Sequence, residues 1–371
     1  MTKLLLTADT HLKTRTWTGR DLIGDSYFAF SQMVDYCIKR KFNAMVVAGD
    51  CLDATSPSPD AVVFLAEQLR MLQQAKCRFL YVLGNHDRTD PPWHSISPWA
   101  EQLSYGEIVT VGDIKITGMD FAPLGAWQEL AAGLPAADVL VLHQTLTDFM
   151  GDQIACQGSL SDIGNGSPVT LVGDYHVRVS KPYRDQQGKQ HTAYSPGSTH
   201  RCSIAEPDDK YFLTLNADGE IAKKSLLGRP ILRLKQVCTE IQLDRLIQSL
   251  PAKLADIEIN AELPDNIKKP LLVVPYTYNV DNAKSRLEDA VGEQAELVLK
   301  VVGSQFDESE AETRAPAELP LAIEAVAIKY CKAAEDKDGR LAGLVQRLLA
   351  TDSPDAELIQ LRHEFLTRSS S

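Results

Sequence analysis

Residues 84–87 read Gly84, Asn85, His86 and Asp87, and they follow an apolar run over 78–83. A buried strand that ends in glycine, then in three groups able to bind a metal or move a proton, is hard to explain by packing alone. An Asn amide oxygen is a weak ligand that becomes a good one when stronger ligands hold the ion. Four other apolar runs end in such ligands. Residues 4–8 precede Asp9 and His11, and 44–48 precede Gly49 and Asp50. Residues 138–142 precede His143, and 168–172 precede Gly173, Asp174 and His176. Each group alone is weak evidence. Together, hard oxygens and imidazoles without thiolates at five strand ends predict a metal centre. A carboxylate such as Asp50 can bridge two cations ~3.5–4 Å apart, and such a pair suits phosphoryl chemistry. Oxygen-rich ligation with some imidazole suits two divalent ions, manganese first and magnesium as the alternative, with iron or zinc also open. His86, flanked by ligands, is read as a proton donor to a leaving oxygen or a stabiliser of the transition state.

The elements that must position these groups are legible. Phe30, Met33, Val34, Cys37 and Ile38 share one face of a predicted helix over 27–40. Val62, Leu65, Ala66, Leu69 and Leu72 do so over 60–75. Strand, helix, strand, helix, strand is therefore expected, with polar residues at the carboxyl ends that line the ligand crevice of open α/β sheets. Short strands are expected over 107–111, 114–118, 192–195 and 211–215, then a hairpin turn at 216–219 into 220–227. The catalytic domain is expected to span 1–228. Residues 229–302 predict a small α+β unit: a strand over 231–237, a helix over 243–250, an alternating strand over 257–261, a helix over 281–291 and a last strand over 296–302. A polar linker is expected over 303–318, then amphipathic helices over 319–371 that dock on the core or take a partner.

With 371 residues, two or three domains are expected. The formal charge of −12 excludes a global basic field, so a nucleic acid would need local basic patches and bound cations. The seven scattered cysteines form neither a disulfide framework nor a zinc ribbon, which suits a reducing, cytoplasmic setting. The N-terminal apolar run is too short for a signal peptide, and no segment approaches the ~20 apolar residues of a membrane span.

The five strand-end motifs resemble those of the calcineurin-like metallophosphoesterases. With the domain order and residues 194–198 (Tyr194, Ser195, Pro196, Gly197, Ser198), the chain further resembles SbcD-type nuclease subunits of bacterial and phage DNA repair complexes. The resemblance implies a four-layer α-β-β-α sandwich with a small α+β cap that binds DNA. It implies one metal on Asp9, His11, Asp50 and His176, a second on Asp50, Asn85, His143 and Asp174, and His86 as catalytic histidine. At 174 the family carries His, so this chain substitutes a shorter, anionic ligand that favours manganese or magnesium over zinc. Asp53 stands near a position where the family often has His. The resemblance also implies DNA exonuclease and endonuclease activity, an SbcC-like coiled-coil ATPase partner gripped by the C-terminal helices, and homodimerisation. Two other readings are a phosphatase or cyclic-nucleotide phosphodiesterase, and a non-catalytic scaffold whose metal site has decayed at Asp174.

For a DNA substrate, Lys13, Arg15, Arg20, Arg88, Arg178, Lys181, Arg184 and Arg201 offer a basic rim in loops that follow the metal motifs. Trp93 and Trp99 offer stacking faces, or else pack their own loop. His200, near the last motif, is the remaining histidine best placed to touch substrate.

Overall fold

The first 82 residues alternate strand and helix as their apolar pattern predicts: β1 (Lys3–Thr7), α1 (Asp25–Arg40), β2 (Ala44–Ala48), α2 (Pro59–Gln74) and β3 (Arg78–Val82). Leu4 and Leu6 of β1 enter one core and Leu5 another, so both strand faces are buried and the sequence reads as an unbroken apolar run. A computed structural model describes residues 2–16, 22–123, 125–151, 156–277 and 282–301. Arg20, the linker expected over 303–318 and the helices expected beyond it lie outside the described residues. The described residues belong to one compact unit, Met1–Gly303.

Next come β4 (Ala100–Gln102), β5 (Val109–Val111), β6 (Ile114–Met119), α3 (Trp127–Ala132), β7 (Val139–His143), α4 (Thr147–Met150) and β8 (Val169–Gly173). They are followed by β9 (Val179–Arg184), β10 (Gln190–Ser195), β11 (Lys210–Asn216) and β12 (Ile221–Leu226). Two mixed six-stranded sheets result, ordered β12-β11-β1-β2-β3-β4 and β5-β6-β7-β8-β10-β9. Leu4, Val46 and Val82 of the first sheet meet Ile116, Val141 and Leu171 of the second in a shared core. Phe30 and Met33 of α1, with Leu65 and Leu69 of α2, cover the other face of the first sheet. Trp127 and Ala131 of α3 pack with Leu140, Leu142 and Val172 on the other face of the second.

Register levels the strand ends. Thr7 pairs with Val47, and Ala48 with Val82, in parallel ladders, so the segments after β1, β2 and β3 emerge side by side. His143 lies opposite Gly173, which brings the ends of β7 and β8 together.

Residues 229–301 build β13 (Ile231–Arg233), α5 (Glu240–Ala255), α6 (Asp265–Lys268), β14 (Leu271–Tyr276), α7 (Ala283–Val291) and β15 (Glu296–Val301). The three strands form a parallel sheet with its own apolar cluster. Several expectations are corrected. The strand expected over 231–237 ends at Arg233, and Val237 keeps only an isolated bridge to Tyr276. Residues 257–261 form no strand: Ile257 packs on the cluster but Ile259 is exposed, so the alternation never lays one face on the core. The helix expected over 243–250 runs from Glu240 to Ala255 through Pro251, because Thr239 caps its start and buried Leu250 and Leu254 hold its last turn. Lys181 and Arg184 are not in a loop but on edge strand β9, where only Tyr183 is buried.

The seam between this unit and the two-sheet body is part apolar, with Leu22 and Ile204 buried against Leu271, Val273 and Val298, and part ionic. Arg229 is buried, its Nε and Nη2 donating to the two Asp25 carboxylate oxygens at 3.0 and 2.8 Å. Nη1 and Nη2 also donate to the carbonyls of Lys269 and Asn266. Arg201, expected at the substrate rim, instead binds Asp208 and the Arg229 carbonyl, while Arg233 of β13 binds the same Asp208. A cavity of about 320 Å³ lies in this seam, lined in part by Thr199, His200 and Lys210.

Removing Arg229 strands a half-buried carboxylate and two carbonyls. Arg229→Ala is expected to lower the unfolding free energy by about 3–5 kcal/mol, read as a lower urea midpoint. Arg229→Lys recovers little, because an ammonium cannot reproduce the two-pronged contact.

Candidate metal centre

Four of the candidate ligands are set by turns that break from their strands, while His143 is the last residue of β7 itself. Asp9, His11, Asp50 and Asp174 all adopt left-handed backbone, with φ of 50°, 37°, 48° and 79°. Asp and His tolerate that region better than most residues. The turns are tied together: Asp9 N donates to the Gly49 carbonyl, His11 N to the Asp50 carbonyl and Asp174 N to Asp9 Oδ1. Asp87, last of the 84–87 group, accepts from the amides of Cys51, Leu52 and Gly84, and so staples the third strand end to the second. Asp50 Oδ1 accepts from His86 N at 3.0 Å.

The result is two adjoining groups of donors. Ligand atoms of Asp9, Asp50 and His143 lie within 4.8 Å of one another, and so do those of His11, His176 and Cys202. Asp50 Oδ2 is 3.4 Å from His143 Nε2 and 3.6 Å from His11 Nε2, which puts it between the groups. Asn85 Oδ1 is 3.1 Å and Asp174 Oδ1 3.8 Å from His143 Nε2. His11 Nε2 and His176 Nε2 face each other at 3.2 Å. The structure therefore brings together Asp9, His11, Asp50, Asn85, His143, Asp174 and His176, with His86 alongside, its ring 5.1 Å from that of His11.

The histidines share one device. His143 Nδ1 donates to the Ala48 carbonyl at 2.8 Å, His176 Nδ1 to Glu206 Oε1 at 2.8 Å and His86 Nδ1 to the Asp53 carbonyl at 2.6 Å. His11 Nδ1 lies 3.3 Å from Asp53 Oδ1. With Nδ1 engaged as donor, Nε2 of His143 and of His176 keeps the lone pair that a metal needs, whereas His11 Nδ1 makes no hydrogen bond among the described residues.

Electrostatics mark the same place. Burial pushes the Asp50 carboxyl up, but His143, His11 and His86 outweigh it and hold the group well below the usual carboxylate range. Burial pulls His143 down, yet the Asp50 carboxylate lifts it well above the usual imidazole value. Burial raises Asp9, and its histidine neighbours only partly offset that. Asp9 Oδ2 is buried without a hydrogen-bond partner among the described residues. A buried carboxylate oxygen in that state is costly unless a cation satisfies it, so the donor set fits divalent metal.

Other expected site residues are dispersed. Lys13 binds Asp53 Oδ1 at 2.8 Å. Arg15 and Arg88 are exposed, and the Arg178 guanidinium lies 5.5 Å above the Tyr211 ring. His200 is buried, its Nε2 3.8 Å from Cys202 Sγ. Burial pushes the His200 imidazole well below its usual value, and the nearby charge of Lys13 adds to this. Trp93 donates to the Thr55 carbonyl and Trp99 is exposed, while His94 is buried against Tyr81. Sequence reasoning missed Glu206 and Cys202. Glu206 stands 30 positions from its partner His176 in an irregular loop, where no periodicity signals it.

The calcineurin-like phosphoesterase family matches residues 2–189, and the chain belongs to that family. Among curated proteins, it is similar to archaeal DNA double-strand break repair proteins Mre11. The one from Methanosarcina mazei is 26% identical over 247 residues, covering 62% of this chain and 39% of the relative. The Sulfolobus acidocaldarius protein is 24% identical, covering 73% of each chain. That of Methanococcus maripaludis is 23% identical over 370 residues, covering 93% of this chain and 94% of the relative. The chain thus spans 39% of the length of the two Methanosarcina relatives. Among solved structures, the protein TT1561 of Thermus thermophilus is 13% identical with a TM-score of 0.38, covering 60% of this chain and 98% of that one. A dimetal phosphatase from Danio rerio is also 13% identical with a TM-score of 0.38, covering 61% of this chain and 96% of that one. No described helix is long and apolar enough to cross a membrane.

Close approach fixes the glycines beneath the site. A methyl on Gly84 would sit 2.0 Å from Asp50 Oδ1 and 2.4 Å from its amide. One on Gly173 would meet the Ala48 carbonyl at 2.0 Å and His143 Nδ1 at 2.6 Å. Gly84→Ala is expected to destabilise by about 1–3 kcal/mol and to cut manganese uptake sharply. Urea unfolding and metal analysis after gel filtration check both.

Proposed function

We propose that this chain is a metal-dependent DNA nuclease of the SbcD and Mre11 type, hydrolysing phosphodiesters in DNA repair or recombination. One observation carries the reading: two adjoining donor groups, joined through Asp50, sit at level strand ends in a chain of the phosphoesterase family. We read the body as a four-layer α-β-β-α sandwich spanning 1–228 and residues 229–302 as a cap that contributes to DNA binding.

In this reading Asp9, His11, Asp50 and His176 hold one divalent ion, and Asp50, Asn85, His143 and Asp174 hold a second, manganese or magnesium. When bound, such ions neutralise phosphate charge and favour an ionised water. The protein does the rest. His86, tethered through Nδ1 to the Asp53 carbonyl, keeps its other nitrogen for the leaving oxygen. Glu206 and the Ala48 carbonyl fix the rings of His176 and His143. Arg15, Arg88 and Arg178 contribute phosphate contacts from exposed positions, with Lys13, Arg20 and His200 as further candidates. The names of the archaeal relatives support DNA as substrate. An SbcC-like coiled-coil ATPase, gripped by residues 319–371, homodimerisation and a cytoplasmic setting complete the reading.

The test is hydrolysis of labelled duplex DNA in manganese beside p-nitrophenyl phosphate esters. DNA cleavage is expected for the parent protein. His86→Ala is expected to lower the rate about 10²–10⁴-fold while retaining metal, and Asp174→Ala to lose both rate and metal. Hydrolysis of the small esters without DNA cleavage favours a phosphatase or cyclic-nucleotide phosphodiesterase. Asp174→Ala with parental activity removes Asp174 from the ligand set, and a parent that holds at most one ion per chain indicates a decayed centre.

Truncation after residue 303 is expected to keep manganese-dependent cleavage and to abolish co-purification with the ATPase. A truncated chain that still co-purifies overturns the assigned docking segment.

A further inference from the structure

Cys202 stands where a purely oxygen-and-nitrogen centre would have no use for it. Its Sγ belongs with His11 and His176 in a group of ligand atoms all within 4.8 Å of one another. The two imidazoles already turn their Nε2 atoms toward each other at 3.2 Å. Zinc-type tetrahedral coordination needs Zn–S near ~2.3 Å and Zn–N near ~2.0–2.1 Å. Donors spread over less than 5 Å close on an ion of that size with shifts of about an ångström or less.

The loop that carries the sulfur is fastened to the same group that orients His176. Glu206 Oε1 accepts from His176 Nδ1, and Glu206 Oε2 accepts from the Cys202 amide at 3.2 Å. Ser198 Oγ at 2.7 Å and Lys210 Nζ at 2.5 Å donate to that same oxygen. One buried carboxylate thus positions an imidazole and the thiol-bearing backbone together. His200, lying against the sulfur, is buried with an Nδ1 that has no hydrogen-bond partner among the described residues. The neighbourhood holds more polar donors and acceptors than its internal bonds use.

We propose that Cys202 is a thiolate ligand at the first metal position, so that with His11 and His176 it captures thiophilic ions such as zinc, cobalt and cadmium. This rests on the metal centre assigned above and adds a soft donor to its hard set. Binding forms a metal–sulfur bond and breaks the S–H bond, the proton leaving to solvent. No oxidant or reductant is involved. Thiolate favours zinc over manganese, whereas carboxylate and carbonyl oxygens favour manganese. The same pocket therefore discriminates by ion: a hard ion uses the carboxylates and leaves the sulfur protonated, and a soft one draws it in.

Cobalt provides the test because a sulfur-to-cobalt charge-transfer band in the near ultraviolet reports the bond directly. The full chain, stripped with chelator under reducing conditions, is titrated with Co²⁺ while metal per chain is counted. A charge-transfer band is expected in the parent, and Cys202→Ser is expected to lose it while its visible cobalt bands remain. Alkylation of the parent, mapped by mass spectrometry, gives a measurement independent of any variant. Zn²⁺ is expected to protect Cys202 from labelling, and Mn²⁺ is not. Cobalt bound without the band, a band that persists in Cys202→Ser, or labelling of Cys202 unchanged by zinc overturns the proposal and leaves the metal centre standing. A parent that binds no cobalt, manganese or zinc overturns the metal centre, and this proposal with it.

Discussion

Asp9 and Asp50 are two carboxylates with almost no access to water, and Asp174 lies just beyond them. Like charges that close in a poorly solvated place repel strongly, and each also loses its hydration. Such a group is tolerable only if positive charge is supplied from within. The structure supplies it from imidazoles: His143 sits among all three carboxylates, and His176 faces Asp9. The opposed shifts of Asp50 downward and His143 upward express that demand for charge. A divalent ion answers it more completely, because it also satisfies the unpartnered Asp9 Oδ2.

Holding this arrangement requires a rigid frame. Four site residues have left-handed backbone, a conformation that costs about 1–3 kcal/mol per residue when the surroundings impose it. The cost is borne by the levelled parallel ladders and the shared core between the sheets, which leave each turn one way to go. Side-chain aim is enforced separately. Asp53 serves two histidines, with its carbonyl on His86 and its carboxylate near His11, and so couples a candidate ligand to the proposed proton donor. Its position near one where the family often has histidine now has a physical content: it orients imidazoles.

What was legible in the sequence follows from burial. Strands β1, β2, β3, β7 and β8 are buried on both faces, so each announces itself as an apolar run and its polar exit stands out. Helices α1 and α2 carry one apolar face on the sheet and were legible for that reason. Strand β9 was not, because an edge strand with one buried residue has no pattern to read. Residues 257–261 misled in the opposite sense, since a short alternation fits an extended chain leaving a helix as well as a strand. Glu206 and Cys202 reach the centre from an irregular loop that is tied to His176, 30 positions away, and spacing cannot encode that.

The same contacts constrain how a polyanion could approach. The chain carries a formal charge of −12, and several of its cations, at the centre and in the seam, are engaged internally. Lys13 is on Asp53, Lys210 on Glu206, Arg229 on Asp25, and Arg201 and Arg233 on Asp208. Arg15, Arg88 and Arg178 are exposed, the last above Tyr211 beside Lys223. A protein that binds DNA mainly through lysine and arginine gains affinity from released counterions and loses it steeply with salt. Among the described residues few exposed cations are placed to do so around the centre, so on the nuclease reading a large share of phosphate attraction would come from ions held at Asp9, Asp50 and their neighbours. On that reading metal occupancy would govern substrate affinity as well as rate, and the buried carboxylates that make the centre costly to fold would also be what lets an acidic chain engage a polyanion.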